Sequence, residues 1–373
     1  MCIRDRMGLG TVNRSSPEYD NITKYWDYMG EENMRRLTVF LAATYKGVPL
    51  EILPPVPRKI YGIYHPDAPK IFDTTAEYLK WYNSTGRYNP DNLTIGISYY
   101  KIPADSRSSK VEDALIRSFE SKGVNVIFAT IYPSKDPNAT KYFIQNNTSI
   151  VDAMINLKGF TLWSYNQEKG VEYLKKQNVS VLRGISCYYQ APTEWENSTT
   201  GLPSNEIAFQ VCIPELDGVI EPIVIGGKVK DPVTGNKYYE PIDYQIDWIT
   251  ERAINHAKLR HIPNSDKKVA IIYYNHGGGK DNLGAIYLDI GPSLSNLLNN
   301  MSASGYKIGN ATVPNGTELI DLMLHQGRNV GTWAPGELDK MIATGKVVLW
   351  PVEEYLTWFH GLPVEHQNKV IER

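Results

Sequence analysis

Between residues 93 and 185 the chain switches repeatedly between short β-rich runs and amphipathic stripes, and this alternation restricts the fold more than any other feature. Residues 93–100, 124–131, 159–163 and 179–185 read as strands. Val111, Ala114, Leu115 and Phe119 recur at helical spacing between the first two, and Gly123 supplies a C-cap. Residues 168–177 read as the helix before the fourth strand. Strands of this kind separated by helices predict an α/β fold with a mostly parallel, doubly wound sheet covered on both faces. Ligands are then expected beyond the carboxyl ends of the strands, at a switch point.

The flanking segments extend this pattern. Residues 17–47 read as helical, with Leu37, Phe40, Leu41 and Tyr45 on one face. The run Leu53-Pro-Pro-Val-Pro57 fits a linker or a packed extended segment, because proline removes ladder donors. Residues 73–81 read as a short helix capped by Asp73 or Thr74. Further on, 207–213 reads as a strand running into PELDGVIEP at 214–222. A long helix follows over 244–259, and a buried strand over 268–274. Leu294, Leu297, Leu298 and Met301 mark one more helix, which Gly305 ends.

A length of 373 residues exceeds what one core usually serves. The expected division is a tail or assembly scar over 1–16, which begins MCIRDR, and a helical segment with a proline-rich linker over 17–90. An α/β domain over 91–263 follows, and the start of a second, truncated α/β domain over 264–373. A break at Ile262-Pro-Asn-Ser265 places the boundary between the last two.

Composition removes several function classes. A formal net charge of -2 gives nucleic acid no basic face to bind. No apolar run approaches the ~20 residues that cross a bilayer. Cys2, Cys187 and Cys212 are too few for a disulfide framework or a thiolate zinc site. The chain carries 25 Tyr and 8 Trp against 8 Phe, which suits wet clefts holding planar ligands or, more simply, half-buried positions filled by Tyr. Twelve N-x-[ST] sequons occur, including Asn83, Asn138, Asn197 and Asn315, where chance predicts about three. That excess admits a glycosylated protein at the cell surface.

Two segments carry chemistry. Glu215, Asp217 and Glu221 are crowded into the PELDGVIEP turn, where poor solvation and mutual repulsion are expected to raise their pKa values. Such carboxylates accept protons near neutral pH or ligate a hard divalent ion. An ordinary charged turn bracketed by Pro214 and Pro222 is the plainer reading. The second segment is His276, Gly277, Gly278, Gly279 and Lys280, followed by Asn282. Consecutive glycines let backbone N–H groups approach an anion, and Lys280 adds charge. The loop is not a Walker A motif, because Asp281 follows the lysine. His256 and His261 stand five apart, which puts them on different helix faces and disfavours a shared metal.

The acidic segment resembles the signature of the large subunits of cobalt and magnesium chelatases, the CobN type. Residues 267–275 with Gly279-Lys-Asp-Asn-Leu-Gly-Ala-Ile-Tyr-Leu288 resemble that family's strand, glycine loop and following segment. Residues 293–306 resemble its next helix. The resemblance runs from about Asp20 to the C-terminus. It departs at His276 and Gly277, where many relatives have proline, and in length, since the family subunit is far longer.

The resemblance implies a tetrapyrrole-binding subunit that inserts cobalt or magnesium into a corrin precursor or porphyrin. It implies Glu215 and Glu221 as proton acceptors or metal carriers, Asp217 in support and His276 as a metal ligand. Residues Gly277, Gly278, Gly279, Lys280 and Asn282 would contact the substrate. ATP would be hydrolysed by separate AAA+ partner subunits, and the setting would be cytoplasmic. The alternative is a cell-surface protein that captures a tetrapyrrole or metal without inserting it.

Overall fold

The structure is a computed structural model that describes residues 17–28, 30–100, 102, 108–133, 136, 138–163, 166–272, 288–309, 312–326 and 335–372. The chain divides into two compact units, one up to His261 and one from Ile262 onward.

The first unit opens with α1 (Pro17–Tyr28) and α2 (Gly30–Lys46), which bury Ile22, Tyr25, Leu37, Phe40 and Leu41 against each other. The proline-rich run is a packed extended segment. Asn33 donates to Val56 O at 2.9 Å and accepts from Val56 N at 2.8 Å, and the Tyr25 hydroxyl donates to Leu53 O at 2.5 Å. Next come β1 (Ile63–Tyr64) and α3 (Thr75–Ser84), where the Thr74 side chain caps the helix by accepting from Glu77 N.

Then follow β2 (Thr94–Tyr99), α4 (Lys110–Ser121) and β3 (Asn125–Thr130). A small hairpin of β4 (Ile144–Gln145) and β5 (Thr148–Ser149) leads into β6 (Ala153–Asn156). After α5 (Gln167–Gln177) and β7 (Ser180–Cys187) the chain forms α6 (Pro192–Glu196) and α7 (Ser204–Ile207). A π-helical turn, Ala208–Cys212, joins α7 to α8 (Ile213–Asp217). The unit closes with β8 (Ile220–Lys230), β9 (Lys237–Pro241) and α9 (Asp243–His261).

Seven strands form one sheet in the order β1-β3-β2-β6-β7-β8-β9. The five central strands are parallel, and β1 and β9 run antiparallel at the edges. Counted alone, the parallel strands run 2-1-3-4-5, the doubly wound order whose switch point lies between β2 and β6. Period-two alternation sends Val126 and Phe128 to the face covered by α4 and α9, and Ile127 and Ala129 to the face covered by α3 and α5. The α/β reading with a largely parallel sheet therefore stands.

Three expected strands do not form as read. Residues 159–163 are loop, and the strand is Ala153–Asn156, a short buried run that lacks the alternation of a half-exposed strand. Residues 207–213 are helical through the π turn. There a tertiary anchor overrides the β-branched composition: the buried Arg183 donates from Nε to Gln210 O at 2.7 Å. Residues 268–272 have no regular structure and are largely exposed, while 273 and 274 lie outside the described residues.

The second unit, by itself, contains α10 (Ile290–Ala303), α11 (Gly316–Gln326), α12 (Glu337–Ala343), α13 (Val352–His360) and α14 (Val364–Ile371). The stripe expected around Leu294 to Met301 falls on α10. No helix among the described residues is long and apolar enough to cross a membrane. Of the sequon asparagines singled out, Asn83, Asn197 and Asn315 are exposed and Asn138 is half-buried.

Candidate functional site

The acidic segment is the C-terminal end of a helix that leads into a strand, rather than a turn that leaves one. Asp217 closes α8, Gly218 turns the chain at φ 104, a conformation that favours glycine, and β8 begins two residues later. Because β8 runs parallel to β7, this places the segment at the amino ends of the strands. The strand read over 207–213 would have delivered this segment to the carboxyl edge, where ligands are expected; the helical path puts Glu215 and Glu221 at the opposite edge instead. The chain enters β8 from that side, so the residues immediately before the strand lie there.

The three carboxylates have separate surroundings. Glu215 is exposed on α8. Asp217 is 2% exposed, accepts from Leu162 N through Oδ2 at 2.6 Å, and leaves Oδ1 without a partner among the described residues. Burial raises its pKa, against the pull of the Leu162 amide and of Lys158. Glu221 behaves oppositely to expectation. Arg252 donates to its two oxygens at 2.8 and 2.6 Å and His256 lies 3.0 Å away, so the Arg252 hydrogen bonds, above all, lower its pKa. Glu221 also holds a left-handed backbone, φ 48, a conformation that costs a non-glycine residue on the order of 1 kcal/mol.

A groove of about 620 Å³ opens on this amino edge, lined among others by Asp152, Ser180, Asp217, Gly218, His256 and Arg260. His256 bridges from Ser180 Oγ at 3.1 Å to Glu221 at 3.0 Å, and His261 lies 2.8 Å from Asp152. The two histidines therefore serve separate carboxylates. Among the described residues no group of three or more His, Cys, Asp or Glu is arranged to hold a metal ion. His276, Gly277, Gly278, Gly279, Lys280 and Asn282 lie outside the described residues.

The carboxyl edge carries a different set of groups. At the switch point Ser98 donates to Asn156 Oδ1 at 3.1 Å, and the buried Lys158 donates to Leu162 O at 2.6 Å. Burial pushes the Lys158 ammonium down to about 8. Arg183 is fully buried, donating to Asn156 O at 2.7 Å and to Gln210. Glu206, also fully buried, accepts from Tyr188 N at 2.5 Å and from Tyr189 N, holding the chain where it leaves β7.

That clamp presents Tyr188 and Tyr189, each about half exposed, beside Tyr100 and Tyr239. Lys228 lies over the Tyr188 ring at 3.1 Å and near the Tyr239 ring at 5.2 Å. Glu112, in the first turn of α4, is 6% exposed and leaves Oε2 without a partner among the described residues. Burial pushes its carboxyl up to about 8. Sequence reasoning missed Lys228, Glu206 and Glu112. The tyrosine excess was the one signal pointing to this edge, since nothing in the local pattern marks a carboxylate on an amphipathic helix as buried.

The family model described as CobN/Magnesium Chelatase matches residues 23–373. Among curated proteins, the chain is 30% identical over 321 residues to the magnesium-chelatase subunit ChlH of Oryza sativa, covering 81% of this chain and 23% of that one. It is 24% identical over 383 residues to the aerobic cobaltochelatase subunit CobN of a Sinorhizobium species, covering 99% of this chain and 29% of that one. The catalytic subunit of cobaltochelatase from Mycobacterium tuberculosis shares the fold, with a TM-score of 0.61 at 23% identity over 93% of this chain and 27% of that one. The chain thus spans under a third of the length of these proteins.

Proposed function

We propose, because the chain belongs to the CobN/magnesium chelatase family, that it forms part of the tetrapyrrole-binding large subunit of a chelatase. The reaction is insertion of cobalt or magnesium, as substrate, into a corrin precursor or porphyrin. The family match over residues 23–373 carries this reading. Support comes from the doubly wound sheet, whose switch-point edge bears aromatic and cationic side chains suited to a planar acid.

Insertion releases two pyrrolic protons and strips water from the ion, so it needs proton acceptors and oxygen or imidazole ligands. Of the acidic segment, Asp217 takes up a proton more readily than a solvated carboxylate, whereas Glu221 stays ionised beside Arg252; both lie at the amino edge, so they serve a ring only where it enters the groove there rather than the tyrosine-lined carboxyl edge. Glu215 and His276 complete the candidate set. ATP hydrolysis belongs to separate AAA+ partner subunits, and the chain alone does not turn over.

A porphyrin titration followed by fluorescence quenching tests the reading. Saturable binding is expected, and weaker binding of porphyrin or cobalt ion in Asp217→Asn, Glu221→Gln or His276→Ala would assign those side chains to the site. A chain that binds no tetrapyrrole overturns the reading. Identical affinities across the variants remove the acidic segment and His276 from it.

A further inference from the structure

Lys228 combines three properties that a structural lysine rarely shares. Its ammonium is drawn down onto the Tyr188 ring at 3.1 Å, with Tyr239 behind it at 5.2 Å, instead of extending into water. Among the described residues it forms no ion pair, because the one carboxylate close enough to influence it, Glu206, is committed to Tyr188 N, Tyr189 N and Gln210 Nε2. It also stands at the carboxyl edge of the parallel strands, where Gly227 pairs with Cys187 at the end of β7.

The backbone around it is held firmly. Lys228 N donates to Gln190 O at 2.9 Å, and a Cβ on Gly227 would lie 2.7 Å from the same oxygen. The chain leaving β7 therefore packs directly across β8 and keeps Tyr188 over the ammonium. A half-desolvated cation without a counter-anion, set among exposed aromatic faces, is unsatisfied until an anion attached to an aromatic body arrives.

We propose that Lys228, with Tyr188 beside it, anchors a peripheral carboxylate of the tetrapyrrole, so that this edge selects macrocycles bearing acidic side chains. This rests on the reading of the chain as part of a chelatase large subunit, and it adds which chemical group of the substrate is recognised and by what. Lys228 acts by positioning the ring and takes no part in moving protons from it.

The ammonium's protonation gives a second signature. Burial, and then the nearby Lys237, push Lys228 down to about 8, while Glu206 draws it up. The Tyr239 phenol is pushed well above its ordinary range by burial and stays neutral there. Affinity for a carboxylate should fall as pH rises through about 8, because the ammonium loses its proton.

The test titrates two soluble porphyrins into the full chain by fluorescence quenching. One is coproporphyrin, with four carboxylates, and the other is a porphyrin with four N-methylpyridinium groups. Wild type should bind the acid more tightly. Lys228→Gln should weaken the acid about tenfold, the scale of one charge-assisted hydrogen bond, leave the cationic porphyrin unaffected and abolish the pH dependence. Lys228→Arg should restore most of the difference. If Lys228→Gln binds coproporphyrin as wild type does, Lys228 is not the anchor and the chelatase reading survives. If wild type binds neither porphyrin, both fall together. Should Lys228→Gln misfold, Lys228→Arg and the wild-type pH profile decide: an affinity for coproporphyrin that does not fall through about pH 8 overturns the proposal.

Discussion

Glu112 shows how far one buried group can depart from what its neighbours in sequence suggest. It sits in the first turn of α4, where a carboxylate normally gains from the helix dipole, yet desolvation outweighs that gain and moves it up to about 8. The folded state holds the proton more tightly than the unfolded chain. Its contribution to stability is therefore complete below the unfolded pKa near 4.5 and is lost as pH rises through about 8. The expected loss is ~3–5 kcal/mol across that window. Chemical denaturation at pH 5, 6.5 and 8 should reveal this slope in wild type and flatten it in Glu112→Gln. Equal slopes would mean that water reaches Oε2. Glu221 has the opposite sign, since its lowered pKa adds stability above the ordinary carboxylate range. Its partner Arg252 is 42% exposed, so screening keeps that gain below about 1 kcal/mol.

Among elements, the junction of β7 with the helix 204–217 decides the most. Arg183 emerges from the middle of β7 and spends its donors on Asn156 O, Gly184 O, Gln210 O and Gln210 Oε1. Burial lowers its pKa to about 9, which leaves it charged at neutral pH. One side chain thus fixes the end of β6 and the π turn against β7. Arg183→Met keeps much of the volume but strands several buried acceptors, and it should cost about 3–5 kcal/mol in urea denaturation. It should also loosen the Glu206 clamp behind Tyr188, which hydrogen exchange at Tyr188 N and Tyr189 N would report. A loss near 1 kcal/mol with unchanged exchange would show that the π turn holds without its anchor.

At the scale of the molecule, the sheet, the groove on its amino edge and the tyrosine-lined carboxyl edge all belong to the unit that ends at His261. A chain covering residues 17–261 is expected to unfold in one cooperative transition and to keep the preference for coproporphyrin over the cationic porphyrin that Lys228 confers, with any contribution of His276 lost. Calorimetry and the same quenching titration check this. Failure to fold, or a lost affinity, would show that residues beyond Ile262 are required for the fold or the site.

The sequence by itself determined the class of the fold and its longer helices in the first unit, whereas the helical path 204–217 and the helices after α10 were not read from it. The stripe of α4 and the strands 94–99, 125–130 and 180–187 were legible because each is specified by the period of its own side chains. The family was legible at 214–222 for the same local reason, since a motif survives wherever the fold puts it. The edge on which that motif lies was not legible. Only the tertiary structure decided it, because a strand's direction is set by the crossover that delivers the chain to it. The helix at 207–213, the partner of Glu221 and the half-buried ammonium-on-tyrosine contact at Lys228 were decided there too. Each depends on residues 27 to 40 positions apart, Arg183 with Gln210 and Glu221 with Arg252 and Tyr188 with Lys228, and no local period records that proximity.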